Sequence, residues 1–165
     1  VFPALKANAN SRSNQGGVQA LDTYAGNRPQ GGSGSVYTFT YWQYLEESVY
    51  WGGISAINIV PPTAEMIDNA HRNGVPILGT IFFPPLVFGG NYAWVQNFLT
   101  KVGDRYPAAD KLIQMAEYYG FDGWFINQET EGGTAADAAA MRDLIRYIRL
   151  NSSLRVTWYD SMVED

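Results

Sequence analysis

The sequence predicts a parallel α/β fold, in which helices connect neighbouring strands of one sheet. Strand-like and helical segments alternate along the chain, and residues 75–83 form a nearly continuous apolar run. Such a run is typical of a parallel strand that is buried on both faces, because a strand with one solvated face alternates apolar and polar residues. The alternation fits both an open doubly wound sheet and a barrel.

The length of the chain bears on that choice. Its 165 residues suffice for one domain and for about five βα units at roughly 30 residues each. A closed barrel of eight units takes roughly 200 residues or more. Length therefore favours the open sheet, unless the chain is a piece of a longer polypeptide.

The individual elements follow from local patterns. Residues 1–17 are rich in Asn, Ser and Gly and predict an extended lead-in, which leaves residues 18–165 for the α/β domain. β-branched and aromatic clusters predict strands at residues 18–24, 48–51, 54–60, 75–83, 121–126 and 154–159. Helical spacing of apolar residues predicts helices at residues 64–73, 92–101, 107–119 and 134–150. Thr63 can cap the first of these helices, Gly74 can end it, and residues 37–44 fit a short helix or a docking loop.

Composition excludes several classes of function. Hydrophobic residues make up 46% and charged residues 16% of the chain, which is enough apolar content for a folded core. Eleven basic and sixteen acidic side chains give a net charge of -5 without a basic stripe, which argues against nucleic acid as a partner. No apolar stretch reaches the roughly 18 residues of a membrane span. The absence of Cys excludes a disulfide framework and a thiolate metal site.

Aromatic residues are unusually abundant. Five Trp, eleven Tyr and eight Phe make up 15% of the chain, more than one modest core needs. Flat apolar rings with a polar edge suit the C–H faces of sugars as well as they suit protein cores. Carbohydrate is therefore the first ligand class to consider, with core packing as the default role of any single ring.

Polar residues follow one buried strand at the place where parallel α/β proteins carry their sites, the carboxyl ends of the strands. Asn127 and Glu129 come directly after the strand at residues 121–126 and precede a Gly-Gly loop. Because side chains alternate along a strand, the amide and the carboxyl group should project to the same side. Tyr159, at the end of the next strand, can bring a phenol to the same rim.

This set of groups does not suit the usual hydrolysis of glycosides, because no second carboxylate lies beside Glu129 on its strand. A substrate with a 2-acetamido group can supply its own nucleophile, since its carbonyl oxygen can attack the anomeric carbon and form an oxazolinium ion. The protein then needs an acceptor that orients the acetamide N–H, which Asn127 can supply. It also needs an acid for the leaving oxygen, which Glu129 can supply.

The residues around Glu129 resemble two known signatures. Asp122, Gly123 and Glu129 are in register with Asp-Gly-x-Asp-x-Asp-x-Glu of family 18 chitinases, but Phe125 and Asn127 stand where that pattern has Asp. The segment Phe-Ile-Asn-Gln-Glu-Thr, which contains Asn127 and Glu129, is similar instead to family 85 endo-β-N-acetylglucosaminidases. These enzymes cleave between the two core GlcNAc residues of N-glycans. Further similar segments lie at residues 41–45, 60–62, 70–80 and 158–162. The resemblance covers roughly residues 18 to 163 and is closest to the bacterial endo-D-like branch.

The resemblance implies a (β/α)8 TIM barrel, of which this chain would be an incomplete N-terminal part with about five βα units. It implies retaining, substrate-assisted hydrolysis without a metal or an organic cofactor. By motif, Glu129 is the general acid and base, Asn127 positions the 2-acetamido group, and Tyr159 hydrogen-bonds that group or the oxazoline. The partners would be an N-glycan or glycoprotein substrate and the missing C-terminal part of the same barrel, without which the chain would lack activity.

Several further expectations complete the prediction. Six aromatic residues could line sugar subsites, and Trp42, Phe83 and Trp158 are the favoured candidates; the other three are Tyr44, Trp51 and Trp94. His71 and Asp122 are expected to have structural roles. By analogy with bacterial relatives, the protein would be secreted or lie on the bacterial cell surface, with the cytoplasm left open. The alternative function is a glycan-binding module, or an inactive fragment, without turnover.

Overall fold

The computed structural model of the protein describes residues 19–22, 41–51 and 58–160, with the backbone alone described at 19–22 and 160. The lead-in predicted at residues 1–17 lies outside the described residues. So do residues 54–57 of one predicted strand and residues 37–40 of the predicted short helix or loop. The remaining predicted elements can be compared with the structure.

The described strands form one largely parallel sheet. They are β1 (Gln19–Asp22), β2 (Glu47–Tyr50), β3 (Ile59–Val60), β4 (Ile77–Phe83), β5 (Gly123–Gln128) and β6 (Arg155–Asp160). All except β3 are parallel and lie in the order β1-β2-β4-β5-β6, while β3 pairs antiparallel with β4. A doubly wound sheet reverses its order at a switch point. This sheet advances in one direction, so its strand order differs from that of the open doubly wound alternative.

The predicted helices are present with small changes at their ends. They are α1 (Ala64–Arg72), α2 (Tyr92–Phe98), α3 (Pro107–Tyr119) and α4 (Ala135–Asn151), with short 3-10 turns at Trp42–Tyr44 and Leu86–Phe88. Thr63 precedes α1 in an extended conformation but forms no capping hydrogen bond with its side chain. Thr134 and Asp137 form a capping box at the start of α4. The hydrogen bond from the Thr134 side chain lowers the pKa of Asp137.

The main hydrophobic core lies between the helices and one face of the sheet. Residues from all four helices pack on that face, together with alternate residues of the strands. Trp124 of β5 lies at the centre of this core, fully buried, and its indole N–H donates to the carbonyl of Leu112 in α3 at 3.1 Å. Gly79 of β4 makes room for the indole, because a Cβ there would lie 2.8 Å from the ring.

The opposite face of the sheet is concave. The Glu47 carboxylate on β2 accepts a hydrogen bond from the Thr157 hydroxyl on β6 at 3.0 Å and lies 3.4 Å from the Arg155 guanidinium. In a flat sheet these two strands would be roughly 14 Å apart, since neighbouring strands are separated by about 4.8 Å. A glutamate and a threonine side chain cannot span that distance. The sheet therefore curls towards Glu47, which is compatible with part of a barrel.

Candidate active site

Three side chains form a row across the concave face, at the carboxyl end of the parallel strands. Asn127 of β5 is paired with Phe82 of β4 on one side and with Tyr159 of β6 on the other. Paired residues of adjacent strands project to the same face of a sheet. This is also the face of Thr157, two residues before Tyr159, so the row lies on the concave side.

Asn127 and Glu129 are in direct contact. Asn127 is 2% exposed, and its Nδ2 donates a hydrogen bond to Glu129 Oε1 at 2.9 Å. The prediction that the two side chains project to the same side is confirmed.

The amide of Asn127 has a free acceptor. Within the part of the chain that the structure describes, no hydrogen bond reaches Asn127 Oδ1. Because Nδ2 donates to Glu129, the carbonyl oxygen is the atom of this amide that could accept a hydrogen bond from a ligand. Glu129 is half-buried just beyond β5, and its backbone N–H donates to Phe83 O at 2.9 Å, which continues the strand ladder by one residue.

Tyr159 lies beside this pair on the adjacent strand. Its side chain is 48% exposed and its Cα is the register partner of Asn127, so about 4.8 Å separates the two strands at this point. Tyr159 can therefore reach a group that is bound to Asn127. The structure brings the three predicted catalytic residues to one place on the rim of the sheet.

Aromatic rings form an apolar floor beside Asn127. The half-buried Trp51, which follows β2, has its ring centroid 5.9 Å from Phe82 and 6.0 Å from Phe125. Trp51 and Phe82 are both partly exposed, whereas Phe125 is buried. The sequence analysis did not single out Phe82, because a continuous apolar run carries no alternation that tells which residue of Phe82-Phe83 faces the site.

The three predicted sugar-contacting residues lie elsewhere. Trp42 and Phe83 are 7% and 3% exposed in the core between helices and sheet, where Phe83 packs edge-on against Phe98 at 5.3 Å. Trp158 packs against the same core, because it alternates with Tyr159 along β6. The structure does not bring these residues to Asn127, and their contact with a sugar stays a prediction.

Asp122 and His71 support the sheet at the amino end of β5. The Asp122 carboxylate accepts a hydrogen bond from the Ile77 N–H at 2.8 Å and lies 2.7 Å from His71 Nε2. The Asp122 N–H donates to Ile77 O at 2.9 Å. These contacts join α1, β4 and the start of β5, so both residues make structural contacts at the amino end of the sheet.

The described residues contain neither a cluster of metal ligands nor a membrane-spanning helix. In residues 41–51 and 58–160, no three His, Cys, Asp or Glu side chains are grouped so that they could hold a metal ion. No helix within the described ranges is long and apolar enough to cross a membrane.

A carboxyl group beside an amide and aromatic rings, at the carboxyl end of a parallel sheet, lies where parallel α/β enzymes carry their active sites. The family model described as glycosyl hydrolase family 85 matches residues 20–165, and the chain belongs to this family.

Curated relatives carry a more specific name. The cytosolic endo-beta-N-acetylglucosaminidase of Gallus gallus is 35% identical over 137 residues, and that of Homo sapiens is 34% identical over 134 residues; each match covers 78% of this chain and 17% of the relative. The cytosolic endo-beta-N-acetylglucosaminidase 1 of Arabidopsis thaliana is 28% identical over 142 residues, which is 81% of this chain and 19% of the relative. The chain thus spans less than a fifth of the length of these relatives.

Proposed function

We propose that the protein is an endo-β-N-acetylglucosaminidase that cleaves the GlcNAc-β1,4-GlcNAc core of N-glycans by a retaining, substrate-assisted mechanism. The observation that carries the proposal is the hydrogen bond from Asn127 Nδ2 to Glu129 Oε1 at 2.9 Å, which leaves Asn127 Oδ1 without a hydrogen bond from any described residue. Family membership and the printed names of the relatives support the substrate class.

In the first step, the N–H of the substrate's 2-acetamido group donates to Asn127 Oδ1. This contact turns the acetamide carbonyl oxygen towards the anomeric carbon. The carbonyl oxygen forms a bond to that carbon as the bond to the leaving GlcNAc oxygen breaks, and Glu129 transfers its proton to that oxygen. The products are an oxazolinium ion and a Glu129 carboxylate, held beside each other.

In the second step, the Glu129 carboxylate takes a proton from water, which attacks the anomeric carbon and reopens the oxazoline ring. The acetamido group is restored, and two inversions at the same carbon give overall retention. Tyr159, beside Asn127 on β6, hydrogen-bonds the acetamido group or the oxazoline. No metal or organic cofactor takes part in this scheme.

An amide at position 127 suits these two steps better than a carboxylate. A carboxylate there would place two negative charges within hydrogen-bond distance of each other, which is unfavourable. Asn127 donates to Glu129 without adding charge, and it offers a neutral acceptor to the acetamide N–H. The exposed faces of Trp51 and Phe82, beside Asn127, can pack against the apolar face or the methyl group of the sugar.

The test uses the full-length protein that contains this chain. It is incubated with a high-mannose or trimmed-core glycopeptide, and mass spectrometry measures the peptide that keeps a single GlcNAc. Release is expected from the wild type and should be lost in Glu129→Gln, which keeps the hydrogen bond but has no proton to give. Glu117→Gln, on the exposed side of α3, is the matched control. Binding of the glycopeptide by the wild type without release would favour the alternative of a glycan-binding module.

Further parts of the proposal concern the whole protein. The curled sheet of strands in chain order supports a (β/α)8 barrel, completed by a C-terminal part of the same polypeptide. The relatives' names support a cytosolic location and give no support to the extracellular or cell-surface location expected from the sequence. Membership of the bacterial endo-D-like branch stays a prediction.

A further inference from the structure

Three consecutive residues tie the segment after β5 to the end of β4 and the segment that follows it. The Glu129 N–H donates to Phe83 O at 2.9 Å. The Thr130 hydroxyl donates to Pro84 O at 2.7 Å. The Glu131 carboxylate accepts from the Leu86 N–H at 2.8 Å, which lowers the pKa of Glu131. We call the ties made by the Thr130 and Glu131 side chains the strand-end clamp.

The residues on both sides of the strand-end clamp make further contacts that fix their positions. Thr130 is 4% exposed, and the Gln128 side-chain amide donates to Thr130 O at 2.8 Å. On the other side, Gly90 packs so closely against Pro84 that a Cβ would lie 1.9 Å from the Pro84 carbonyl oxygen. The Gly90 N–H also donates to Pro85 O at 3.0 Å. Thr130 and Glu131 therefore join Glu129 to a compact turn.

We propose that Thr130 and Glu131 are positioning residues for the acid Glu129. Glu129 lies one residue beyond β5, so the regular pairing of the sheet no longer fixes the chain that follows it. Its carboxyl group is held by Asn127, while the direction of its backbone is held by the strand-end clamp. Geometry matters at this point because a displacement of about 1 Å can cost about a hundredfold in rate. The inference rests on the proposed function.

The first experiment compares Thr130→Val with Thr130→Ser in the full-length protein. Val keeps the size and branching of Thr but has no hydroxyl to donate to Pro84 O, whereas Ser keeps the donor. Thr100→Val is the matched control, since the Thr100 hydroxyl also donates to a backbone carbonyl, that of Gln96 at 3.2 Å, outside the strand-end clamp. With the glycopeptide, Thr130→Val should lower kcat about tenfold without a matching change in KM. Thr130→Ser should recover most of that loss, and Thr100→Val should behave as the wild type.

The second experiment separates positioning of the acid from general structural support. The substrate is the same glycan donor with a 4-nitrophenyl group in place of the second GlcNAc. The nitrophenolate leaves without receiving a proton, so the position of Glu129 matters less. The loss caused by Thr130→Val should shrink to about twofold with this substrate. An equal loss with both substrates would overturn the proposal, because it would mean that the whole site is damaged.

Glu131 supplies an independent test. Glu131→Gln keeps an acceptor oxygen for the Leu86 N–H and should stay near the wild type, whereas Glu131→Ala should lower kcat with the glycopeptide more than with the nitrophenyl donor. If near-UV circular dichroism shows that Thr130→Val does not fold, the Glu131 variants test the proposal in its place. Wild-type rates in both Thr130→Val and Glu131→Ala would overturn the positioning role but not the proposed function. Absence of release by the wild type would instead refute the proposed function.

Discussion

Replacing Asn127 by Ala separates the two steps that are assigned to the site. The change removes the hydrogen bond from Nδ2 to Glu129 Oε1 and the Oδ1 acceptor that faces the acetamide N–H. Oxazoline formation needs both groups, because the acetamide must be turned and the acid must be in place. Attack of water on a preformed oxazoline needs only the base, since its ring is already closed.

The magnitudes follow from the buried position of Asn127. Loss of one preorganised group that is aimed at the reacting atoms costs about 10² to 10³ in kcat, or roughly 2.7 to 4 kcal/mol. Hydrolysis of a glycopeptide should fall by this factor in Asn127→Ala, whereas turnover of the preformed oxazoline should fall by less than about tenfold. The lost hydrogen bond should cost about 1 kcal/mol of stability.

The assay measures glycan release from the glycopeptide and consumption of the oxazoline by the same protein samples, with thermal unfolding measured in parallel. Asn73→Ala is the matched control: the Asn73 side-chain amide also donates a hydrogen bond, to Asn69 O at 2.8 Å, but at the end of α1 before β4. It should keep both activities. An equal loss of the two activities in Asn127→Ala would refute the role of the amide in orienting the acetamide.

Three further predictions concern the sheet. Phe83→Ala should lower the free energy of unfolding by about 3–5 kcal/mol, because Phe83 lies in the core between helices and sheet. Phe82→Ala should lower it less and should raise KM for the glycopeptide, because Phe82 lies on the concave face. A larger loss of stability in Phe82→Ala than in Phe83→Ala, measured by urea unfolding, would mean that the two residues were assigned to the wrong faces. Asp122→Ala should lower the free energy of unfolding by about 1–3 kcal/mol, because the Ile77 N–H loses its acceptor. His71→Ala should lower it by less than about 1 kcal/mol, because the His71–Asp122 pair is exposed. Equal losses in the two variants, measured by urea unfolding, would contradict this. Gly123→Ala should abolish folding, since its Cβ would lie 2.0 Å from a carbonyl oxygen of β6; a wild-type melting curve would disprove this steric argument.

Local patterns in the sequence were sufficient for the order of the elements and for the central pair of the site. Helical spacing of apolar residues predicted α1 to α4, because this signal acts between residues close in the chain. The two-residue spacing of Asn127 and Glu129 predicted that their side chains share a face, because alternation along an extended chain is local as well. Their hydrogen bond bears this out.

Only the tertiary structure decided which residues surround that pair. The order of the strands, the curl of the sheet and the register that brings Tyr159 beside Asn127 all arise from pairing between distant segments. The choice between Phe82 and Phe83 has the same origin: a strand buried on both faces shows no alternation, so its sequence does not tell which side chains face the site. The helices pack against one face of the sheet and bury Phe83, whereas Phe82 lies on the opposite, concave face, and only the tertiary structure shows this difference.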